Sequence, residues 1–61
     1  LNYEEVNENF KSIEREINRM AKEENRFVVP YKIDGFSLWS KEGLNSNFKT
    51  IEDKLNQIIG K

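Results

Sequence analysis

The stretch NENFKSIEREINRM (Asn7–Met20) is nearly restated by NSNFKTIEDKLNQI (Asn45–Ile58), and this pair decides the fold. In and just before the first copy, apolar residues fall at Tyr3, Val6, Phe10, Ile13, Ile17 and Met20. In the second they fall at Leu44, Phe48, Ile51, Leu55 and Ile58. Steps that alternate between three and four keep side chains on one side of a helix, in a narrow stripe of the a/d kind. Both segments are therefore predicted to be amphipathic helices whose seams require a second surface. The matched Phe10 and Phe48 make the seam bulkier than a simple dimeric zipper, so the stripe alone sets no oligomer number.

With Val6–Met20 aligned on Leu44–Ile58, seven of fifteen positions are identical. A seam accounts for the matched Phe and Ile. It does not account for Asn7/Asn45, Asn9/Asn47 and Asn18/Asn56, and so we read the pair as a duplication. Two copies of a phrase most simply mean two copies of a site, each meeting its own counterpart or equivalent places on a symmetric partner.

Working outward, one domain spans residues 1–61: helix 1 over 2–24, an apolar connector over 25–39 and helix 2 over 40–60. Asn2 with Glu5 resembles a capping box, Ser40 is positioned to cap helix 2, and Gly60 to end it. Gly43 weakens the first turn of helix 2. The connector FVVPYKIDGFSLW (Phe27–Trp39) has eight apolar residues in thirteen. Pro30 excludes a helix there, and Asp34-Gly35 is a hairpin dipeptide between Tyr31-Lys32-Ile33 and Phe36-Ser37-Leu38. The expected fold is mainly α, with two amphipathic helices joined by an extended or β-hairpin connector. A lone hairpin is marginal in water, so the connector either covers the helices as core or docks elsewhere through Phe27, Tyr31, Phe36, Leu38 and Trp39. The 20 or so connecting residues could reach about 65 Å. They therefore permit parallel or antiparallel helices alike.

A chain of 61 residues gains little stability from its own core, and disulfides, metals or assembly are the usual supports. With no Cys and no His, assembly is the support left. The same absence removes the commonest general base and the best nucleophile. The serines have no triad around them, and the glycines form no phosphate loop. No catalytic residue, cofactor or metal ligand is assigned, and the chain is read as a non-enzyme. No apolar run nears the roughly 20 residues of a membrane span. The absence of cysteine fits a reducing compartment such as the cytoplasm. Position 1 is Leu rather than Met, as in a trimmed product.

Net charge is −1, but residues 1–24 hold seven acids and four bases and residues 25–61 six bases and four acids. Lys11, Arg15, Arg19 and Lys22, continued by Arg26, line one outward stripe of helix 1. Such a stripe can track phosphates, which gives a second reading as a nucleic-acid-associated module. Glu8, Glu14, Glu16 and Glu23 flank it, which suits an ordinary solvated face, and helix 2 keeps only Lys49. The duplicated feature is the apolar seam.

WSKEGLNSNFKTIEDKLNQI (Trp39–Ile58) resembles segments of bacteriophage virion proteins, in which a Trp and a Gly-containing turn lead into an LN…F…IE…LN helix. VNENFKSIEREINRM (Val6–Met20) resembles the same type without the Trp. The resemblance implies a virion structural part, such as a fibre base or a capsid-associated accessory protein. Its partners would be copies of itself or a symmetric capsid, tail or fibre. It implies no functional residue beyond the seam.

Overall fold

The computed structural model describes residues 3–22, 26–33 and 38–60. Helix α1 spans Tyr3–Ala21 and helix α2 spans Lys41–Ile59, 19 residues each. Their first residues stand 38 positions apart in the chain, and so do their last. The mainly α class holds. Among the described residues the connector forms neither helix nor strand. The Asn2 cap, the Asp34-Gly35 turn and Phe36 lie outside the described residues.

The helix ends follow from local chemistry. Ser40 Oγ accepts the Gly43 N–H at 3.0 Å and the Ser40 carbonyl accepts the Leu44 N–H at 3.0 Å, satisfying two amides of the first turn of α2. At the other end Gly60 turns left-handed (φ 91°) and its N–H reaches the carbonyls of Asn56 and Gln57. Helix α1 stops at Ala21, short of the Glu24 expected, because Lys22 occupies the left-handed region (φ 53°) with its N–H on the Asn18 carbonyl at 3.3 Å. Lys22 thus does in α1 what Gly60 does in α2, against the steric penalty of a Cβ. Lys22→Gly is expected to stabilise the chain by about 0.5–1 kcal/mol, the left-handed penalty less the extra chain entropy of glycine. Urea unfolding followed by helical dichroism measures it.

The helices run parallel. The Phe10 ring meets the Phe48 ring at 5.4 Å, Val6 shares a cleft with Leu44, and Met20 shares one with Leu55. N-terminal halves therefore lie together, as do C-terminal halves. The chain must return between them, and the connector does so along one side of the pair. Phe27 lies at Asn18, Val29 at Glu14 and Ile33 at Asn7.

Phe10, Ile17, Phe27, Val29 and Ile51 form the buried core, with Val6, Ile13, Trp39, Leu44, Leu55 and Ile58 packed against it. Along the connector Phe27 and Val29 are buried, while Val28, Pro30, Tyr31 and Lys32 are exposed. The Phe10 ring is held between Trp39 (5.2 Å) and Phe48, both tilted in the manner aromatic pairs favour. Gly43 is buried because the Trp39 indole lies against it. A Cβ there would stand 3.4 Å from Trp39 Cε3 and Cζ3 and 3.1 Å from Ser40 Oγ. The glycine that weakens the turn is the one that admits the indole.

Candidate docking surface

What holds the connector is a set of helix side chains acting on its backbone. Asn18 is two-pronged: its Oδ1 accepts the Phe27 N–H at 2.7 Å and its Nδ2 donates to the Phe27 carbonyl at 3.2 Å. Asn47, fully buried, does the same to Tyr31, at 3.2 and 3.3 Å. Glu14 Oε2 accepts the Val29 N–H at 2.9 Å, and Asn7 Nδ2 donates to the Ile33 carbonyl at 2.7 Å. Asn7 Oδ1 also accepts the Trp39 indole N–H at 2.9 Å, tying the end of the connector to α1. A carboxamide offers a donor and an acceptor side by side, as a neighbouring strand would. The helices therefore stand in for a sheet partner at Phe27, Val29, Tyr31 and Ile33. Pro30, which has no N–H, falls between them.

Among the described residues, none covers the opposite side of the helix pair in this way. There an open cleft of about 530 Å³ runs between the helices, walled by Val6, Phe10, Ile13, Leu44 and Phe48 with Asn9 and Ser12 on its rim. A second cleft, lined by Ser12, Ile13, Glu16, Ile17, Met20 and Leu55, continues it towards the C-terminal ends. Phe48 is 55% exposed and Met20 48%. These are large apolar side chains gathered along one groove of a small molecule, the arrangement that marks a contact surface.

The expected seam is thus divided in two. Phe10, Ile17 and Ile51 are buried, and Ile58 is partly so. Val6, Ile13, Leu44 and Leu55 are half-buried along the groove, while Met20 and Phe48 are exposed there. Of the five residues expected in a docking arm, Phe27 is core and Trp39 is half-buried over Phe10. Tyr31 and Leu38 are exposed, and Phe36 lies outside the described residues. The expected assembly surface and docking arm are separate only in part: the Phe27–Ile33 stretch lies across the helices from the groove, whereas Leu38 and Trp39 line a cleft with Val6 and Leu44. Asn7, Asn18, Asn47 and Glu14 were not foreseen as connector ligands. The signal for the three asparagines was the repetition of Asn where no seam required it.

Lys11, Arg15, Arg19 and Lys22 are all exposed on α1. Arg19 pairs with Glu16, whose hydrogen bond and charge hold the guanidinium above its ordinary pKa. Arg15 Nη2 donates to Ser12 Oγ at 3.1 Å. Glu23, one of the acids expected to flank the stripe, lies outside the described residues. On α2 Lys49 pairs with Asp53 at 3.7 Å, largely exposed and worth little in water.

No helix among the described residues is long and apolar enough to cross a membrane. Comparison with family models, with curated proteins and with solved structures finds no match to the chain.

Proposed function

We propose that the chain is a non-enzymatic structural interaction protein built on a duplicated helix, and that it docks through the groove its two helices leave open. The observation that carries this reading is the exposed apolar lining of that groove, Phe48 and Met20 above all, on the side of the helix pair away from Phe27 and Val29. Burying half-exposed Phe, Met and Ile side chains against a partner offers of the order of 1 kcal/mol each at about 25 cal/mol per Å². A chain of this size gains much from such support. The setting we propose is a bacteriophage particle, where the chain would assemble with itself or dock on the major structural protein. That setting rests on the resemblance of Trp39–Ile58 to virion helices.

Light scattering across a wide concentration range, with circular dichroism on the same samples, tests the reading. Wild type and Phe48→Glu are compared, together with the emission of anilinonaphthalene sulfonate. A helical oligomer that Phe48→Glu reduces to monomer supports assembly of copies through the groove. A helical monomer that takes up the dye, and loses it in Phe48→Glu, supports a groove kept for another protein. A monomer that takes up no dye overturns the proposal.

A further inference from the structure

The polar residues of the repeated phrase occur in two sets, and the connector engages one of them. Asn7, Glu14 and Asn18, which hold the connector, lie three residues before, four after and eight after Phe10. Asn45, Glu52 and Asn56 lie three before, four after and eight after Phe48. These spacings place each trio on the same flank of its helix, beside the phenylalanine. The fourth connector ligand, Asn47, precedes Phe48, and its counterpart Asn9 precedes Phe10. In a parallel pair packed in register, the axis between the helices relates one side to the other. The side of α1 that faces the connector therefore corresponds to the side of α2 that flanks the groove. Asn9 is found on the groove rim. All four counterparts, Asn9, Asn45, Glu52 and Asn56, are exposed, whereas all four connector ligands are partly or fully buried.

The apolar walls correspond as well. On the closed side Phe27 lies beside Thr50 and Lys54. The residues at the matching positions of α1 are Ser12 and Glu16, and they line the second cleft of the groove with Leu55 and Met20. A phenylalanine-sized side chain has the same place available on either side.

We propose that the groove binds an extended peptide segment of a partner protein, running antiparallel to the helices. It would carry large apolar residues at alternate positions, as Phe27–Ile33 does. Asn56 takes both backbone groups of one residue, Glu52 the N–H two residues on, Asn9 both groups two further, and Asn45 the carbonyl after that. This deepens the interaction reading and rests on it, for it names the chemistry of what docks. A helix is the poorer occupant: its backbone amides and carbonyls already bond one another, and the rim carboxamides would find no backbone to hold. The cleft carboxylate Glu16 likewise disfavours an anionic lipid surface.

The probe is a synthetic peptide with the sequence of Arg26–Ile33, titrated into the whole chain while side-chain amide resonances are followed by NMR. Saturable shifts at Asn9, Asn45 and Asn56, with Asn7, Asn18 and Asn47 unmoved, are expected. The double variant Asn9→Ala/Asn56→Ala, both sites exposed and away from the core, is expected to keep its dichroism and bind about tenfold more weakly or worse, since several backbone hydrogen bonds are lost. Absence of shifts at the groove amides, shifts confined to the connector ligands, or undiminished binding by the double variant would overturn the proposal. Self-association or dye uptake lost in Phe48→Glu alongside such a failure would leave the interaction reading standing and remove only the strand.

Discussion

Asn47→Ala is expected to cost the fold about 2–4 kcal/mol, and Asn9→Ala about 0.5 kcal/mol or less, although the two asparagines occupy the same place in the repeated phrase. Asn47 has 0% of its surface exposed and bonds both the N–H and the carbonyl of Tyr31. Truncation removes two hydrogen bonds at about 1 kcal/mol each and opens a gap beneath the connector. Asn9 is exposed on the groove rim. For 61 residues, a stability of about 3–9 kcal/mol is the ordinary range, so the first change removes a large share of it. Urea unfolding, read by dichroism and by Trp39 fluorescence, separates the two variants. Equal effects would mean that the connector does not lie where Asn47 holds it.

The same contrast shows what could be read from the residues alone. Helix positions were legible because burial along a helix repeats at 3.6 residues and the phrase does so twice. Their direction was not, since a connector of that length spans either arrangement. What sets the direction is hydrogen bonding between connector backbone and Asn7, Glu14, Asn18 and Asn47, and hydrophobic periodicity carries no record of polar contacts. Glu14 read as a charge beside a basic stripe, and its role at the Val29 N–H depends on a contact fifteen residues away. Nor could identical residues show which copy is in use. That is decided by the single connector lying on one side, which turns half of each seam inwards and leaves the other half lining the groove. Gly43 was legible as a weakness of α2, but its reason, the Trp39 ring upon it, is a tertiary contact.

Phe10→Ala is expected to be the most damaging single truncation in α1, and Phe48→Ala a mild one, for reasons that bear directly on what the groove does. Phe10 is 5% exposed and touches both Trp39 and Phe48. Its loss empties the contact between the helices and the end of the connector, at about 3–5 kcal/mol. On a chain this small that suffices to leave much of the population unfolded at room temperature, visible as lost helical dichroism and a shifted Trp39 emission. Phe48 is 55% exposed and gives only one edge to the core. Its truncation is expected to cost about 1 kcal/mol in the isolated chain, in proportion to the apolar area it buries there. The remaining half of the ring matters only when something covers the groove. Phe48→Ala should therefore weaken docking or self-assembly far more than it weakens folding, while Phe10→Ala should abolish docking only by abolishing the fold. Denaturation midpoints beside binding or light scattering on the same variants distinguish these routes. A Phe48→Ala chain that is nearly as stable as wild type yet fails to dock would assign the exposed half of the seam to the partner. One that loses as much stability as Phe10→Ala would return Phe48 to the core and leave the groove without its principal contact.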